Sequence, residues 1–441
     1  MQGRLLSNAL LVTFCLPNVV IGLSITAMSV VIPAFYAKHT AASLAAVGTG
    51  LFIARIVDAI CDPLIGYASD LTAAHAWRRK PWLVAGALAA PLAVWFMFAP
   101  PSSADGTYFA LWCVLMYVAW TTLNIPYRAW GVEISRDYAE RSRIFTAMGI
   151  AYGAGAIGFA IVPMITGDAE FAPTTMAQIG LLIALLFPIT TALAVRFVPG
   201  GAPIPTERPS LRALAGAVRM NRPLRWFLLA FFLGEAAQGA VLALFYLFID
   251  LKLGLAAKFP FALLAIYITG LVSLPLWLKL VQLTASKARA WSIGWGGAAI
   301  LGLLLGAIPS GDAGFIPLLV IAGLYGACNA VEAVLPYAVL GDVVDYDTWK
   351  TRVNRAGNYN AFAVLCMKAG VALGGASAFW MLSICGFKVG GNNDATAELG
   401  FVLALTLWPA LLYGLSSAIL WRFPIDRRRH DAIRKRLERR K

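Results

Sequence analysis

Arg55-Ile56-Val57-Asp58-Ala59-Ile60-Cys61-Asp62-Pro63 lies inside an apolar run that, as a helix, is long enough to span lipid. On a helix, Arg55 precedes Asp58 by three positions and Asp62 follows it by four, so the three charges project from one side. That side cannot face hydrocarbon. A charge in the bilayer core costs several kcal/mol unless it meets a counter-charge, an ion or a water-filled cavity, so intramembrane ionisable residues mark functional sites. Two carboxylates and one guanidinium leave one formal negative charge, which suits a proton or a small cation.

Composition around this stretch agrees with a membrane setting. The 441 residues are 60% hydrophobic and only 13% charged, more apolar than a single soluble core uses, and the long apolar runs indicate a polytopic membrane protein. A net charge of +14 would suit nucleic acid if it were spread over one surface, but nearly all Lys and Arg fall in short inter-helix loops and the tail. The first apolar run carries no small-residue cleavage site followed by a polar mature domain, so it reads as a retained first span. The cysteines, Cys15, Cys61, Cys113, Cys328, Cys366 and Cys385, are scattered through apolar segments without zinc-ligand spacing. With only His39, His75 and His430 beside them, no metal centre or cofactor is expected, and no nucleophile or cofactor motif supports an enzyme.

Hydropathy and length predict twelve helical spans, at about 10–36, 43–67, 82–100, 107–128, 143–166, 174–198, 223–249, 258–281, 289–308, 314–340, 358–386 and 398–421. Basic clusters alternate between the loops: Arg78-Arg79-Lys80, Arg136/Arg141/Arg143, Arg208 to Arg222, Lys287/Arg289, Lys350/Arg352/Arg355 and the tail from Arg427 all fall on one side. The positive-inside rule makes that side, and both termini, cytoplasmic. The Pro- and Gly-rich stretch beginning at Pro199 is the longest hydrophilic connection. It divides the chain into a six-helix bundle over 1–198, a cytoplasmic linker over 199–222, a second bundle over 223–421 and a basic tail over 422–441. An internal echo supports the division: Pro126-Tyr127 with Gly131 recurs 210 residues later as Pro336-Tyr337 with Gly341, each followed by acidic residues.

Further polar residues interrupt the apolar spans. Lys368 sits well inside span eleven among Gly370, Gly374 and Gly375, which permit close helix approach and place it toward the protein interior. Span four ends Trp120-Thr121-Thr122-Leu123-Asn124-Ile125-Pro126-Tyr127, where Thr121 offers an oxygen to a cation, Asn124 both a donor and an acceptor, and Trp120 a stacking face for a sugar ring. Pro126 frees a backbone carbonyl and allows a bend. Asn18 follows Pro17 in span one. Glu235 with Gln238, and Asn329 with Glu332, complete the inventory, the two glutamates being either solute contacts of the second half or solvated groups near an interface. Arg55 and the Asp/Arg-rich cytoplasmic motifs, including Arg141, Asp342 and Asp345, are expected to form charge networks that hold one state of a transport cycle.

The run Arg55 to Gly66, Arg78-Arg79-Lys80-Pro81-Trp82, Asn124-Ile125-Pro126-Tyr127, Asp137-Tyr138-Ala139-Glu140-Arg141 and Asp342-Val343-Val344-Asp345-Tyr346 followed by Lys368 resemble the signatures of the glycoside-pentoside-hexuronide:cation symporter family. That family, which includes melibiose permease, belongs to the major facilitator superfamily. The resemblance covers essentially the whole chain. It implies an all-α, twelve-helix major facilitator fold of two six-helix bundles. It also implies a functional monomer in the bacterial inner membrane that imports a sugar, glycoside or acidic sugar derivative by cation-coupled alternating access. Superfamily members carrying lysolipids keep similar cation motifs, so a lysolipid or another amphiphile is the alternative cargo. Carried over by position, Asp58 and Asp62 match the paired cation-site acids, Thr121 the hydroxyl contributor and Lys368 the central lysine. Cys61 stands where melibiose permease has an Asn that serves Na+, and a thiol is a poor ligand for a hard cation, so H+ moves ahead of Na+ as the coupling ion. The two acids that grip galactoside hydroxyls match Asn18 and Asn124, and a neighbouring aromatic matches Arg128, which turns the expected cargo away from melibiose itself.

Overall fold

The computed structural model describes residues 6–72, 79–135, 137–168, 171–200, 221–353 and 355–438. Most of the expected linker, residues 201–220, lies outside these, as do Trp77-Arg78 and the last three residues of the tail. Among the described residues, twelve helices are long and apolar enough to cross a membrane, and no strand occurs. The chain divides into two compact units, Met1–Pro205 and Thr206–Lys441.

The first unit holds α1 (Asn8–His39), α2 (Leu44–Thr72), α3 (Lys80–Phe98), α4 (Gly106–Ile134), α5 (Glu140–Thr166) and α6 (Pro173–Phe197). The second holds α7 (Arg222–Lys252), α8 (Ala256–Thr284), α9 (Lys287–Leu305), α10 (Asp312–Thr351), α11 (Ala356–Ile384) and α12 (Ala395–Trp421), followed by the tail helix α13 (Arg427–Glu438). Several helices outrun the hydropathic limits. For example, α4 continues past 128 to Ile134, and α10 past 340 to Thr351. Hydropathy marks the apolar stretch, whereas backbone hydrogen bonding carries the helix on past it, through buried Glu133 in α4 and buried Asp342 in α10.

The leading helix of each unit is its most enclosed: the apolar windows of α1 and α7 are 83% and 67% buried, against 17% for α8. Lipid tails are as apolar as Leu, so helices in a membrane associate through close packing of small residues more than through a hydrophobic drive. Both units use the same pair for this, the first helix against the fifth. A Cβ added at Gly22 of α1 would collide with the Tyr152 carbonyl of α5, and one at Gly155 with the Val19 carbonyl of α1. In the second unit, Gly239 of α7 meets the Val371 carbonyl of α11, and Gly374 of α11 meets that of Ala236.

α10 alone of the repeat-related pair is broken. It runs as an α-helix over Phe315–Asn329, tightens to a 3-10 turn over Ala330–Ala333 and resumes over Leu335–Thr351. Pro336 has no N–H for the carbonyl four residues earlier, that of Glu332, and so disrupts the helical ladder at the turn. Its counterpart Pro126 lies within α4, which continues as an α-helix through it.

Candidate functional site

In the first unit, α2 and α4 run side by side, and their polar residues meet in rungs one helical turn apart. On the upper rung, the Arg55 guanidinium lies 4.6 Å over the ring of Tyr117. On the next, the Thr121 hydroxyl donates to Asp58 Oδ1 at 2.5 Å, and both residues have no exposed surface. Thr121 follows Tyr117 by four residues, as Asp58 follows Arg55 by three, which keeps the rungs in register. One turn further, half-buried Asp62 continues the acidic side of α2, with half-buried Cys61 beside it. Asn124, 5% exposed, continues the polar side of α4, and Trp120 is half-buried. Asp58 thus occupies a buried position with one hydroxyl on its carboxyl oxygen, where a carboxyl can bind a proton or share a small cation.

The other expected solute contacts are placed less uniformly. Asn18 is buried and spends an amide donor on the Met148 carbonyl of α5 at 3.0 Å, joining α1 to α5. Arg128 is exposed on α4. In the second unit, Lys368 is 8% exposed on α11, two positions before Gly370, whose added Cβ would press on Glu235 and the Phe232 carbonyl of α7.

Sequence reasoning passed over two features. The first is the arginine that centres the ion pairs of the first unit. Arg79, read above within a basic loop and a family-like run but not singled out by itself, pairs with Glu133 at 2.7 Å and Asp70 at 2.6 Å and donates to Ser69 Oγ at 3.0 Å. Arg55 instead makes its cation-π contact, and Arg141 donates to the Ser135 carbonyl at 2.7 Å. In the second unit, Lys287 pairs with Asp342 at 2.6 Å, and His430 of α13 lies 3.0 Å from Asp345 and 3.4 Å from Asp342. The second feature is a knot of neutral polar groups. Gln238 Oε1 accepts from Tyr413 (2.6 Å), Tyr325 (2.8 Å) and the Asn329 amide (3.1 Å). Gln238 and Asn329 were visible as intramembrane polar residues. Tyr325 and Tyr413 were not singled out, because nothing in their apolar neighbourhoods points across to another helix.

Twelve apolar helices in two six-helix units, with charged and polar side chains turned inward, define a secondary transporter of the major facilitator fold that carries a small organic solute by alternating access. The chain belongs to the MFS/sugar transport protein family, whose sequence profile matches residues 13–427. It is a multi-pass membrane transporter, not an enzyme. Among curated proteins it is similar to the inner membrane symporter YicJ of Escherichia coli strain K12, with 26% identity covering 86% of this chain and 83% of that one. It is also similar to the isoprimeverose transporter of Lactiplantibacillus pentosus, with 25% identity covering 94% and 88%. Among solved structures, the nucleoside transporter NupG shares the fold with a TM-score of 0.67 at 15% identity, over 97% of this chain and all of that one.

Proposed function

We propose that this chain is a glycoside-pentoside-hexuronide:cation symporter that imports a sugar-like solute, coupled through Asp58 and Asp62. The observation that carries the reading is the fully buried Asp58 with the Thr121 hydroxyl on its carboxyl oxygen, inside a membrane span. A buried carboxyl persists where it has work to do with a cation, because an ionised group there is costly. The relatives support a sugar-like cargo, one being an isoprimeverose transporter by name. Cys61 beside the acids favours H+ over Na+, since a thiol adds no hard oxygen ligand. Asn124, Trp120, Asn18 and Arg128 are the proposed solute contacts of the first unit and Lys368 that of the second. Amides and cations in place of acids suit a solute carrying an acidic group. Both termini are assigned to the cytoplasm by the distribution of Lys and Arg, and the functional unit to the monomer.

Coupling means that cation and solute each strengthen the other's binding by the same factor. The test is uptake into proteoliposomes under imposed pH or Na+ gradients, with neutral sugars, acidic sugars and lysolipids as cargo. A pH gradient is expected to drive uptake of a sugar-like solute, and Asp58→Asn or Asp62→Asn to abolish the gradient-driven part while the purified protein stays monodisperse. Undiminished gradient-driven uptake in both variants would overturn the coupling site, and uptake of lysolipid alone would overturn the cargo.

A further inference from the structure

The rim of the second unit where α7 and α9 begin and α12 ends holds a cavity of about 380 Å³. Arg222 from the start of α7, Arg289 from the first turn of α9, Arg422 just past α12 and Arg429 from α13 line it, with Trp421 beside them. Asp426 is the one acid in its lining, and it caps α13 by accepting from the Arg429 backbone N–H at 2.9 Å. Four guanidiniums against one carboxylate leave three positive charges in excess. The side-chain partners of three of them are neutral. Arg222 lies 5.9 Å over the Trp226 ring, Arg289 lies 5.7 Å over that of Trp421, and Arg429 donates to the Pro424 carbonyl. Among the described residues, no ion pair joins any of the four to an acid. The backbone N–H of Arg427 donates to the Ala285 carbonyl, at the end of α8, at 3.1 Å. That bond pins the turn carrying Arg422, Asp426 and Arg429 against the start of α9. A guanidinium is weakly hydrated and presents a planar fork of donors that matches a phosphate, so several converging on one cavity suit a phosphate group.

A second feature identifies what carries the phosphate. At Arg222 the cavity adjoins a groove of about 250 Å³ bounded by Arg225, Trp226 and Leu229 of α7 and Ile419 of α12, and the wall of this groove is apolar. Arg222, Arg225, Trp226 and Leu229 follow helical spacing and form one outward face of α7, on which Leu229 is 53% exposed. Leu415 and Leu411 of α12 are exposed as well. In a membrane span such a face meets acyl chains, while tryptophan at the end of a span sits at headgroup level. A soluble anion has no use for the groove. An acidic phospholipid fills both parts, with its phosphate among the guanidiniums and an acyl chain along Leu229 and Ile419.

We propose that this rim is a binding site for an anionic phospholipid, which ties the starts of α7 and α9 to the end of α12 and to the tail. The site lies wholly in the second unit and depends neither on the coupling role of Asp58 and Asp62 nor on the cargo.

Native mass spectrometry of the purified, delipidated full chain, titrated with phosphatidylglycerol or phosphatidylcholine, tests it. Phosphatidylglycerol is expected to bind about tenfold more tightly, each basic contact adding to its affinity. Arg222→Gln/Arg422→Gln is expected to weaken that binding roughly tenfold to thirtyfold and to leave phosphatidylcholine binding unchanged. Arg428→Gln/Lys435→Gln removes the same charge from the tail outside the cavity and is expected to weaken it by no more than about threefold. Inorganic phosphate in large excess is expected to leave the lipid bound. Should the first pair fold poorly, Arg289→Gln/Arg429→Gln gives the same reading. Equal affinity for the two lipids overturns the site, and so does an equal loss in the cavity and tail variants, which would mark a general attraction to a basic tail. Displacement by inorganic phosphate overturns the lipid and leaves an anion site only. Failure of the coupling reading would appear elsewhere, as gradient-driven uptake retained by the aspartate variants.

Discussion

At the scale of single residues, the hydroxyl of Thr121 is the sharpest test of the Asp58 site. A hydrogen bond to a charged group contributes about 1.5–3 kcal/mol, and its removal from a buried carboxyl cannot be made good by water. Thr121→Val keeps the shape and deletes the donor, so gradient-driven uptake at limiting proton concentration is expected to fall roughly tenfold to a hundredfold. Thr121→Ser, which restores the oxygen, is expected to recover most of it. Equal losses in both variants would show that packing and not the hydroxyl matters. Cys61 makes the complementary case. Cys61→Asn supplies a hard oxygen beside Asp58 and Asp62, and Na+ is expected to begin to stimulate uptake in proteoliposomes; an unchanged Na+ response would sink the account of ion choice. The Asp58 rung was legible in the sequence because two acids and an arginine at helical spacing stand out against an apolar run. The knot around Gln238 was not. Tyr325 and Tyr413 lie 87 and 175 positions away in apolar surroundings, and a tyrosine buried there has the same local signature whether its hydroxyl meets a glutamine or a carbonyl.

At the scale of elements, the number of spans could be read from hydropathy and length, but their interior geometry could not. Pro126 and Pro336 look alike in sequence, yet one lies in a continuous helix and the other in the first turn of the helix that resumes after a 3-10 turn, a difference the proline alone does not set. The glycines were more informative. Those flanking Lys368 pointed to close helix approach, and α7 and α11 do come together backbone to backbone at Gly239, Gly370 and Gly374. A methyl at Gly374 would run into the Ala236 carbonyl, which has no flexible end to give way, so Gly374→Ala is expected to destabilise the second unit by about 1–3 kcal/mol as an overpacked contact. Gly341, also helical, has nothing within 4 Å of an added Cβ, and Gly341→Ala is expected to be neutral or to stabilise by about 0.5–1 kcal/mol through the smaller entropy cost of ordering alanine. Thermal unfolding in detergent compares the two, and shifts of the same sign would refute the packing argument.

At the scale of the whole molecule, the internal repeat extends from sequence to electrostatics. A basic residue at the start of the third helix of each unit binds an acid near the end of the fourth: Arg79 with Glu133 in one, Lys287 with Asp342 in the other. The spacing within each pair, 54 and 55 residues, is nearly the same, so the joint belongs to the repeated six-helix plan. The two joints differ in what their loss exposes. The Arg79 and Glu133 side chains are 8% and 5% accessible, whereas the Lys287 side chain is 35% accessible and water can take the place of much of what it contributes. Removing one partner of a buried pair leaves an uncompensated charge and costs about 3–5 kcal/mol, while a solvent-screened pair is worth about 0–1 kcal/mol. Arg79→Gln is therefore expected to lower thermal stability well beyond Lys287→Gln. Adding Glu133→Gln to Arg79→Gln should recover a large part of the loss, because the stranded carboxylate is then neutral. If Lys287→Gln proves the more damaging change, or Glu133→Gln gives no recovery, the first unit is held by something other than this buried pair, and the repeated joint is a feature of shape and not of charge.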